Sequence, residues 1–346
     1  MRSFRLLTIL VLAVAGGVAL LQSCRKSEFR PTGTPLPFAV PQGFPQPAYD
    51  FTNYPLTAEA VDLGRRLFYE GALSKDSNFA CSSCHMPNAA FTTFDHDRSH
   101  GYNHAHTLRN APALANLAWY TNYFHDGQYD GLESVVRRHI THPNEMGENF
   151  PEVQARLSAD TAYVRRFRAA YGFIGISDVT ITNALRQFLL SMVSADSKWD
   201  RVQRGEATLT ATEAAGEQVF AAKCASCHSG PLFTDFSYRN TGLEVDPALN
   251  DYGRMRVTGR SADSLKFRVP SLRNLNLSAY YGHDGRFSAM RTMVRHYRDD
   301  IHLSPSLDPL LLNGISLTTA EEDEVVRFLQ TLTDSAYTRN PKYLPN

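Results

Sequence analysis

Two pentapeptides of one pattern carry the clearest chemistry in this chain. Residues 81–85 read CSSCH and residues 224–228 read CASCH. In a C-x-x-C-H sequence the two thiols can add across the vinyl groups of a haem, and the histidine can then bind the iron from the proximal side. A zinc site or a redox disulfide is the alternative, but neither requires a histidine directly after the second cysteine in both copies. The pattern therefore predicts two covalently bound haem c groups.

Similar elements surround the two motifs. A helix is expected to begin near Thr57 before the first motif, and Thr210 and Glu213 are spaced as a capping box before the second. Each motif is also followed by an Arg-Asn pair and then by His-Asp-Gly, at residues 109–110 and 125–127 in the first half and at 273–274 and 283–285 in the second. The chain thus has the pattern of a duplicated haem domain. We expect the Arg-Asn and His-Asp-Gly residues to support the haem propionates and the domain interface.

The N-terminus has the features of an exported bacterial lipoprotein. A basic start precedes an apolar run over residues 6–21, about sixteen residues, which is short for a membrane span and typical of a signal peptide. The run ends before Ser23 and Cys24, so cleavage there would leave Cys24 as a lipid-carrying first residue. An ordinary signal peptide with an incidental cysteine is the alternative. Because c-type haem is attached outside the cytoplasm, we expect a periplasmic protein that meets a membrane only through its lipid anchor.

Composition and periodicity indicate the fold class. The 35 Lys and Arg residues balance the 35 Asp and Glu residues, so there is no electrostatic basis for nucleic-acid binding. Strand alternation is scarce and helical periodicity recurs, which predicts a mainly α fold with two cytochrome c-like haem domains in tandem. The expected segments are a lipoprotein signal peptide (1–24), a mobile proline-rich tether (25–49), an N-terminal haem domain (50–200) and a C-terminal haem domain (201–346), with a polar connection over 195–206.

Several motifs together resemble those of a known family. They are residues 63–68 (LGRRLF), 109–112 (RNAP), 124–127 (FHDG), 144–146 (NEM), 209–220, 269–274 (VPSLRN) and 283–285 (HDG), besides the two haem motifs. Between residues 56 and 332 the chain resembles the bacterial di-haem cytochrome c peroxidases and their relative, the methylamine dehydrogenase maturation enzyme. The resemblance implies that the N-terminal haem is the peroxide site and that the C-terminal haem relays electrons.

The resemblance also assigns the residues of each haem site. Four thiols would attach the haems, namely Cys81, Cys84, Cys224 and Cys227. His85 would be the proximal ligand of the peroxidatic iron and His228 that of the relay iron. The distal catalytic glutamate falls on Glu145, where a carboxylate suits proton transfer from bound peroxide to the leaving oxygen. A simple charge at a helix end is the alternative for Glu145.

At the second haem the chain departs from the peroxidase pattern. Peroxidases place a methionine fourteen residues after the histidine of the second His-Asp-Gly, and this chain has Tyr297 there. The maturation enzyme has an axial tyrosine at that position, and a phenolate stabilises oxidised iron and lowers its potential. Tyr297 is therefore the expected axial ligand. The alternatives are Met293, Met290 and His296.

Other positions differ around the first haem. The tryptophan that usually lies between the haems is His125, with Trp119 and Tyr123 nearby as substitutes, and a distal glutamine is replaced by Val135. The loop over residues 94–107 would hold a distal histidine in resting peroxidases. It contains four histidines, and His100 lies nearest the family pattern; the others are His96, His104 and His106. A five-coordinate resting iron stays open.

The resemblance further implies a calcium ion between the haems. Its side-chain ligand would be Asn110, and its backbone carbonyl ligands would be those of Ser278 and Tyr280. Tyr280 replaces a proline of the family, but carbonyl ligation tolerates such a change.

These expectations lead to three functions. The first is an oxidoreductase, a di-haem peroxidase that reduces hydrogen peroxide with electrons from a small c-type cytochrome or cupredoxin. The second is an enzyme like the maturation enzyme, which would use high-valent haems to oxidise Trp or Tyr residues of a partner protein, and Tyr297 favours it. The third is a di-haem electron-transfer cytochrome, against which Glu145 argues. A homodimer stays open.

Overall fold

Helices form most of the regular structure between residues 32 and 345, the part of the chain that the computed structural model describes. The helices are α1 (Ala58–Phe68), α2 (Leu132–Thr141), α3 (Phe150–Ala159), α4 (Thr161–Tyr171), α5 (Asp178–Ser191), α6 (Lys198–Gln203), α7 (Ala211–Lys223), α8 (Met255–Thr258), α9 (Met290–Asp299), α10 (Thr319–Gln330) and α11 (Ser335–Thr338). The prediction of a mainly α fold is confirmed. The predicted signal peptide and lipidation site at Cys24 lie outside the described residues. Among the described helices, none is long and apolar enough to cross a membrane.

Strands are limited to two short antiparallel pairs. Strand β1 (Pro35–Leu36) pairs with β2 (Leu56–Thr57), and β3 (Tyr238–Arg239) pairs with β4 (Phe267–Arg268). Each strand has only two residues, so these pairs fix loops rather than form a sheet layer. The rest of the described chain outside the helices consists of turns and short 3₁₀ segments.

In the first half, α1 crosses α5 at very short range. Leu63 and Leu67 of α1 and Phe188 of α5 are buried in this contact. At Gly64 a Cβ atom would lie 1.9 Å from the backbone carbonyl oxygen of Ala184, so a larger residue would push the helices apart. Gly64 of the LGRRLF motif therefore lies at the helix crossing that precedes the first haem motif.

The same crossing recurs in the second half between α7 and α10. A Cβ atom at Gly216 would lie 1.9 Å from the carbonyl oxygen of Glu324. Phe220 of α7 packs against Phe328 of α10 with ring centroids 5.0 Å apart. The predicted capping box starts α7, because Thr210 Oγ1 accepts a bond from the N–H at position 213 and the Glu213 carboxylate accepts one from the N–H of Thr210. The duplicated helix pair fits the predicted repeat.

The proline-rich segment packs against the body from residue 32 onward. Phe38 stacks on Phe51 at 4.0 Å, and Phe38 and Phe44 both contact the ring of Trp119. The indole N–H of Trp119 donates to the carbonyl of Pro45 at 2.8 Å. The prediction of a mobile tether is therefore wrong for residues 32–49, because aromatic side chains between the prolines bury apolar surface. Residues 25–31 lie outside the described part.

The polar stretch expected to connect the haem domains is an ordered element. It contains α6, which begins after Ser197, and the carboxylate of Asp200 accepts two bonds from the guanidinium of Arg273 at 2.7 and 2.8 Å. Both side chains are buried, with 6% and 1% of their surface exposed. The predicted boundary between residues 200 and 201 falls inside α6 and stays a prediction.

Candidate active site

A tight turn places the thiols and the histidine of the first motif along one cavity. A 3₁₀ turn spans Cys81–Ser83, and the backbone N–H of His85 donates to the carbonyl of Cys81 at 3.0 Å. Nδ1 of His85 donates to the carbonyl of Phe91 at 3.0 Å. Because a carbonyl only accepts, Nδ1 carries the proton and Nε2 keeps its lone pair. Burial lowers the pKa of His85 to about 4, so the ring is neutral at pH 7, as an iron ligand must be.

The second motif has the same geometry. The backbone N–H of His228 donates to the carbonyl of Cys224 at 3.0 Å, and its Nδ1 donates to the carbonyl of Phe233 at 3.1 Å. Burial lowers the pKa of His228 as well. Nε2 of His228 is thus the nitrogen left to bind a metal.

One cavity of about 1320 Å³ is lined by both motifs, including all four of their cysteines. None of these cysteines is in a disulfide. Burial raises the pKa of the Cys81 thiol to about 12 and that of Cys224 to about 11, so both thiols keep their protons while nothing is bound to them. Among the described residues, no cluster of three or more His, Cys, Asp or Glu side chains is placed to hold a metal ion. Two free thiol pairs and two neutral histidines fit two covalently attached haems.

Glu145 lies just after α2, within a group of basic side chains. Its carboxylate contacts Nδ1 of His139 closely, accepts a bond from Arg138 at 3.2 Å and lies 3.4 Å from Nδ1 of His142. Its side chain is 17% exposed. Burial alone would raise the pKa of Glu145, but the contacts with His139, Arg138 and His142 outweigh it and lower the pKa. Glu145 is therefore a carboxylate at neutral pH and can accept a proton.

The carboxylate and the first proximal histidine share a compartment. Glu145, His139 and His85 all line the cavity. After burial, His139 is the next influence on the pKa of His85, which it lowers, while Glu145 raises it. Glu145 and His85 are therefore near enough to influence each other electrostatically. The catalytic role of Glu145 stays a prediction.

Two of the four loop histidines reach the cavity wall. His100 and His106 line it, whereas His96 and His104 do not. The ring of His100 lies 5.0 Å from that of His96 and 5.8 Å from that of His104, and its Nδ1 is buried without a hydrogen-bond partner. Of the four histidines, His100 and His106 are the ones placed to approach a haem.

Tyr297 lies on the cavity wall beside the second motif. Burial raises its pKa, and the two neighbouring thiols raise it further, so the phenol keeps its proton unless a cation binds it. Among the alternative ligands, His296 does not line the cavity and its Nε2 is bonded to a backbone carbonyl at 2.9 Å. Met290 and Met293 both line the cavity, and Met290 also packs into the core around α10. The geometry therefore leaves Tyr297, Met293 and Met290 as candidates on the cavity wall.

His125 occupies a half-buried position on the cavity wall. Its Nε2 donates to the carbonyl of Asn110 at 3.0 Å, and burial lowers its pKa to about 3, so the ring is neutral. Trp119 does not line the cavity, because it packs on the N-terminal segment, whereas Tyr123 does line it. Of the two aromatic residues expected to substitute for the missing tryptophan, only Tyr123 lines the cavity that both haem motifs share.

The two Arg-Asn arginines are engaged in buried ion pairs. Arg109 binds both oxygens of Asp251, at 2.6 and 2.9 Å, and Asp126 at 2.6 Å. Arg273 binds Asp200 in the second half. These pairs tie distant segments together, as expected for the interface. The expected contact with propionates stays a prediction, because each guanidinium uses three of its five N–H groups in bonds to carboxylate and carbonyl oxygens.

The three predicted calcium ligands all line the cavity. The backbone N–H of Asn110 donates to the carbonyl of His283 at 2.9 Å, which places it beside the segment that holds Ser278 and Tyr280. The carbonyl of Ser278 accepts a bond from the hydroxyl of Tyr281 at 2.7 Å, and the carbonyl of Tyr280 accepts one from Ser278 Oγ at 3.2 Å. Each carbonyl retains a second lone pair for a cation. Calcium binding stays a prediction.

Two features of the site escaped the sequence analysis. A Phe-Thr pair follows each motif, and the threonine hydroxyl bonds a backbone carbonyl in both halves, with Thr92 bonding to Ala111 and Thr234 to Val269. This repeat could have been found by aligning the two halves. The contact of His139 with Glu145 had no such signal, because no helical or capping spacing joins positions six apart; backbone bonds from Glu145 to His142 and from Met146 to His139 close the loop.

Comparison with known proteins identifies the family. A family model described as di-haem cytochrome c peroxidase matches residues 58–208. The methylamine utilization protein MauG of Methylorubrum extorquens is 34% identical over 303 residues, covering 85% of this chain and 83% of that protein. The cytochrome c551 peroxidase of Nitrosomonas europaea is 30% identical, covering 81% of each.

Solved structures agree with the sequence relatives. A MauG-like protein associated with microbial copper homeostasis superposes with a TM-score of 0.83 at 32% identity, covering 89% of this chain and 99% of the other. The di-haem peroxidase BthA of Burkholderia thailandensis shares the fold, with a TM-score of 0.72 at 22% identity. The chain belongs to the di-haem cytochrome c peroxidase family, which includes the MauG proteins. Membership implies two c-type haems.

Proposed function

We propose that this protein is a di-haem peroxidase that reduces hydrogen peroxide to water at the haem held by His85. The supporting observation is the ionised, largely buried carboxylate of Glu145 in the same compartment as His85. An electron-transfer cytochrome needs no such base. The haem iron, when bound, supplies the electrons that cleave the peroxide O–O bond. The polypeptide supplies the base and the shape of the pocket.

Glu145 is assigned the proton transfer. Hydrogen peroxide must lose a proton from one oxygen and regain a proton on the other as that oxygen leaves as water. A carboxylate oxygen of Glu145 can take the first proton and return it to the leaving oxygen. Val135 on the same wall offers no hydrogen bond, so the peroxide would have one polar partner fewer than in the family's pocket.

The second half is assigned the electron supply. Its haem would be held by Cys224, Cys227 and His228, and the donor would be a small c-type cytochrome or a cupredoxin. His125, which is neutral and lines the cavity shared by both motifs, stands at the sequence position of the family's tryptophan. Electrons would pass from the second haem to the first haem along the part of the cavity that His125 lines.

A second candidate function is the oxidation of Trp or Tyr residues in a partner protein. Tyr297 favours it, because an axial phenolate would lower the potential of the second haem and make it a poor acceptor from small cytochromes. Both the MauG of Methylorubrum extorquens and the MauG-like structure lie in the same range of identity as the peroxidases. The two functions share the peroxide step and differ in the source of the electrons.

We also propose the finer features of cofactor and location. Asn110, Ser278 and Tyr280 would hold a calcium ion, and the protein would act in the periplasm with Cys24 carrying a lipid anchor. Calcium can be tested by metal analysis of the purified protein before and after chelation. Lipidation can be tested by mass analysis of the N-terminus, with Cys24→Ala as the control.

One experiment separates the candidate functions. The ferric holoenzyme is mixed with hydrogen peroxide in the presence and absence of a reduced small c-type cytochrome, and absorbance is followed. Sustained oxidation of the cytochrome supports the peroxidase. A rapid spectral change that the cytochrome does not reverse supports oxidation of a partner protein. A protein that does not react with peroxide would exclude both.

A further inference from the structure

Helix α2 carries His139, a polar side chain that lines the cavity. It lies one helical turn after Val135, the position at which the family has a glutamine. Val135 and His139 are four residues apart, so their side chains lie on the same face of the helix. Both line the cavity. This face of α2 therefore offers the cavity an apolar side chain at Val135 and a polar side chain at His139.

His139 makes the closest contact of the Glu145 carboxylate. Its Nδ1 meets Oε2, while the contacts of Arg138 and His142 with the other oxygen are longer, at 3.2 and 3.4 Å. Because the carboxylate only accepts, Nδ1 carries the proton in this bond.

Two further contacts fix this arrangement. The ring of Phe124 meets that of His139 edge to face at 5.3 Å, which limits rotation of the imidazole. The backbone N–H of Met146 donates to the carbonyl of His139 at 3.3 Å, which ties the loop to the helix.

We propose that His139 is a positioning residue that holds the Glu145 carboxylate aimed into the pocket of His85. The inference rests on the proposed peroxide reaction and assigns His139 a part in it. An ordinary surface ion pair would lie away from the cavity, whereas both partners here line it and Glu145 is 17% exposed. Arg138 donates only to Oε1, and Nδ1 of His142 lies near that same oxygen, so without His139 the Oε2 atom loses its partner.

The expected loss can be bounded. A positioned general base contributes about 10²- to 10⁴-fold to a rate. Loss of the His139 contact leaves the base in place but no longer positioned, so it should remove only part of this rate contribution. We therefore expect His139→Leu to slow the steps in which Glu145 accepts a proton by roughly 10- to 100-fold. His139→Asn keeps an N–H near the position of Nδ1 and should restore the rate to within about threefold of wild type.

The test measures binding of cyanide to the ferric holoenzyme by absorbance, besides peroxide turnover. Hydrogen cyanide must lose its proton to bind iron as the anion, so its association rate reports on the distal base without any redox chemistry. Arg137→Gln is the matched control, because Arg137 lies on α2, does not line the cavity and makes an exposed ion pair. Haem content and melting temperature of each variant show whether it is folded.

The proposal expects slow cyanide association in His139→Leu, recovery in His139→Asn and no change in Arg137→Gln. In a Glu145→Gln background, His139→Leu should cause no further loss, because His139 acts through Glu145. Equal rates in wild type and His139→Leu would overturn the proposal, and so would a full additional loss in the Glu145→Gln background.

The outcomes also separate this inference from the proposed function. If the cyanide pattern holds but the wild-type protein does not consume peroxide, the proposed function fails and the positioning role stands. If peroxide is consumed but His139→Leu behaves as wild type in both assays, only the positioning role fails. A wild-type protein that bound neither cyanide nor peroxide would overturn both.

Discussion

The buried pair of Asp200 and Arg273 provides a quantitative test of how the second half is held together. Asp200→Asn removes the charge with little change in size and leaves the guanidinium of Arg273, 1% exposed, without its counterion. Loss of one partner of a buried pair costs about 3–5 kcal/mol. Arg273 keeps its bond to the carbonyl of Pro231 at 2.7 Å, so we expect the lower end of that range. At about 2–4 °C per kcal/mol, a loss of about 3 kcal/mol lowers the melting temperature by roughly 6–12 °C.

The assay is thermal unfolding of the holoenzyme followed by circular dichroism at pH 7. The matched control is Asp299→Asn, which removes an exposed partner of Arg298 and should leave the melting temperature close to that of wild type, since exposed ion pairs contribute little to stability. If Asp200→Asn melts no lower than this control, the assignment of stability to the buried pair is refuted.

The pH dependence gives a second check on the same pair. Burial would raise the pKa of Asp200, but its bonds with Arg273 and Ser197 outweigh burial and lower it. A lowered folded-state pKa means that the contribution to stability is present above the ordinary aspartate pKa of about 3.9 and is lost as the pH falls through the folded value. The difference between wild type and Asp200→Asn should therefore shrink below about pH 4. A difference that stays constant into that range would contradict the linkage.

Three further predictions concern the helix crossing and the haem sites. Gly216→Ala should destabilise the protein by about 1–3 kcal/mol, because its Cβ would lie 1.9 Å from the carbonyl of Glu324; an unchanged melting temperature would contradict the tight crossing. Tyr297→Phe should change the ferric absorption and electron paramagnetic resonance spectra of one haem, and unchanged spectra would exclude Tyr297 as a ligand. Replacing Cys81 and Cys84 together by Ala should leave a polypeptide whose mass includes one haem instead of two, and retention of both would refute attachment at the first motif.

Local patterns in the sequence were sufficient to predict the two haem motifs and most of the helices. The capping box of Thr210 and Glu213 is a contact between neighbours in the chain, so its spacing predicts it directly. The glycines at 64 and 216 were visible as part of a repeat. That each marks a helix crossing depends on a carbonyl more than one hundred residues away in sequence, which periodicity does not identify.

The contacts that shape the site are mostly non-local. Arg109 forms an ion pair with Asp251, which is 142 residues away in sequence. Arg273 forms one with Asp200, which is 73 residues away. The charged residues over 195–206 indicate a polar connection, yet pairing allows Asp200 to be buried. The prolines over residues 32–49 indicate a mobile segment. Its aromatic residues pack on Trp119, a partner that composition alone cannot reveal.

The central claim is that Glu145 serves as the base for peroxide at the haem held by His85. The most direct test is stopped-flow mixing of ferric wild-type and Glu145→Gln holoenzymes with hydrogen peroxide, without any electron donor. Both proteins should carry two haems, and the variant should react about 10²- to 10⁴-fold more slowly because glutamine cannot accept the proton. A variant that reacts with peroxide at the wild-type rate would show that Glu145 is not the base.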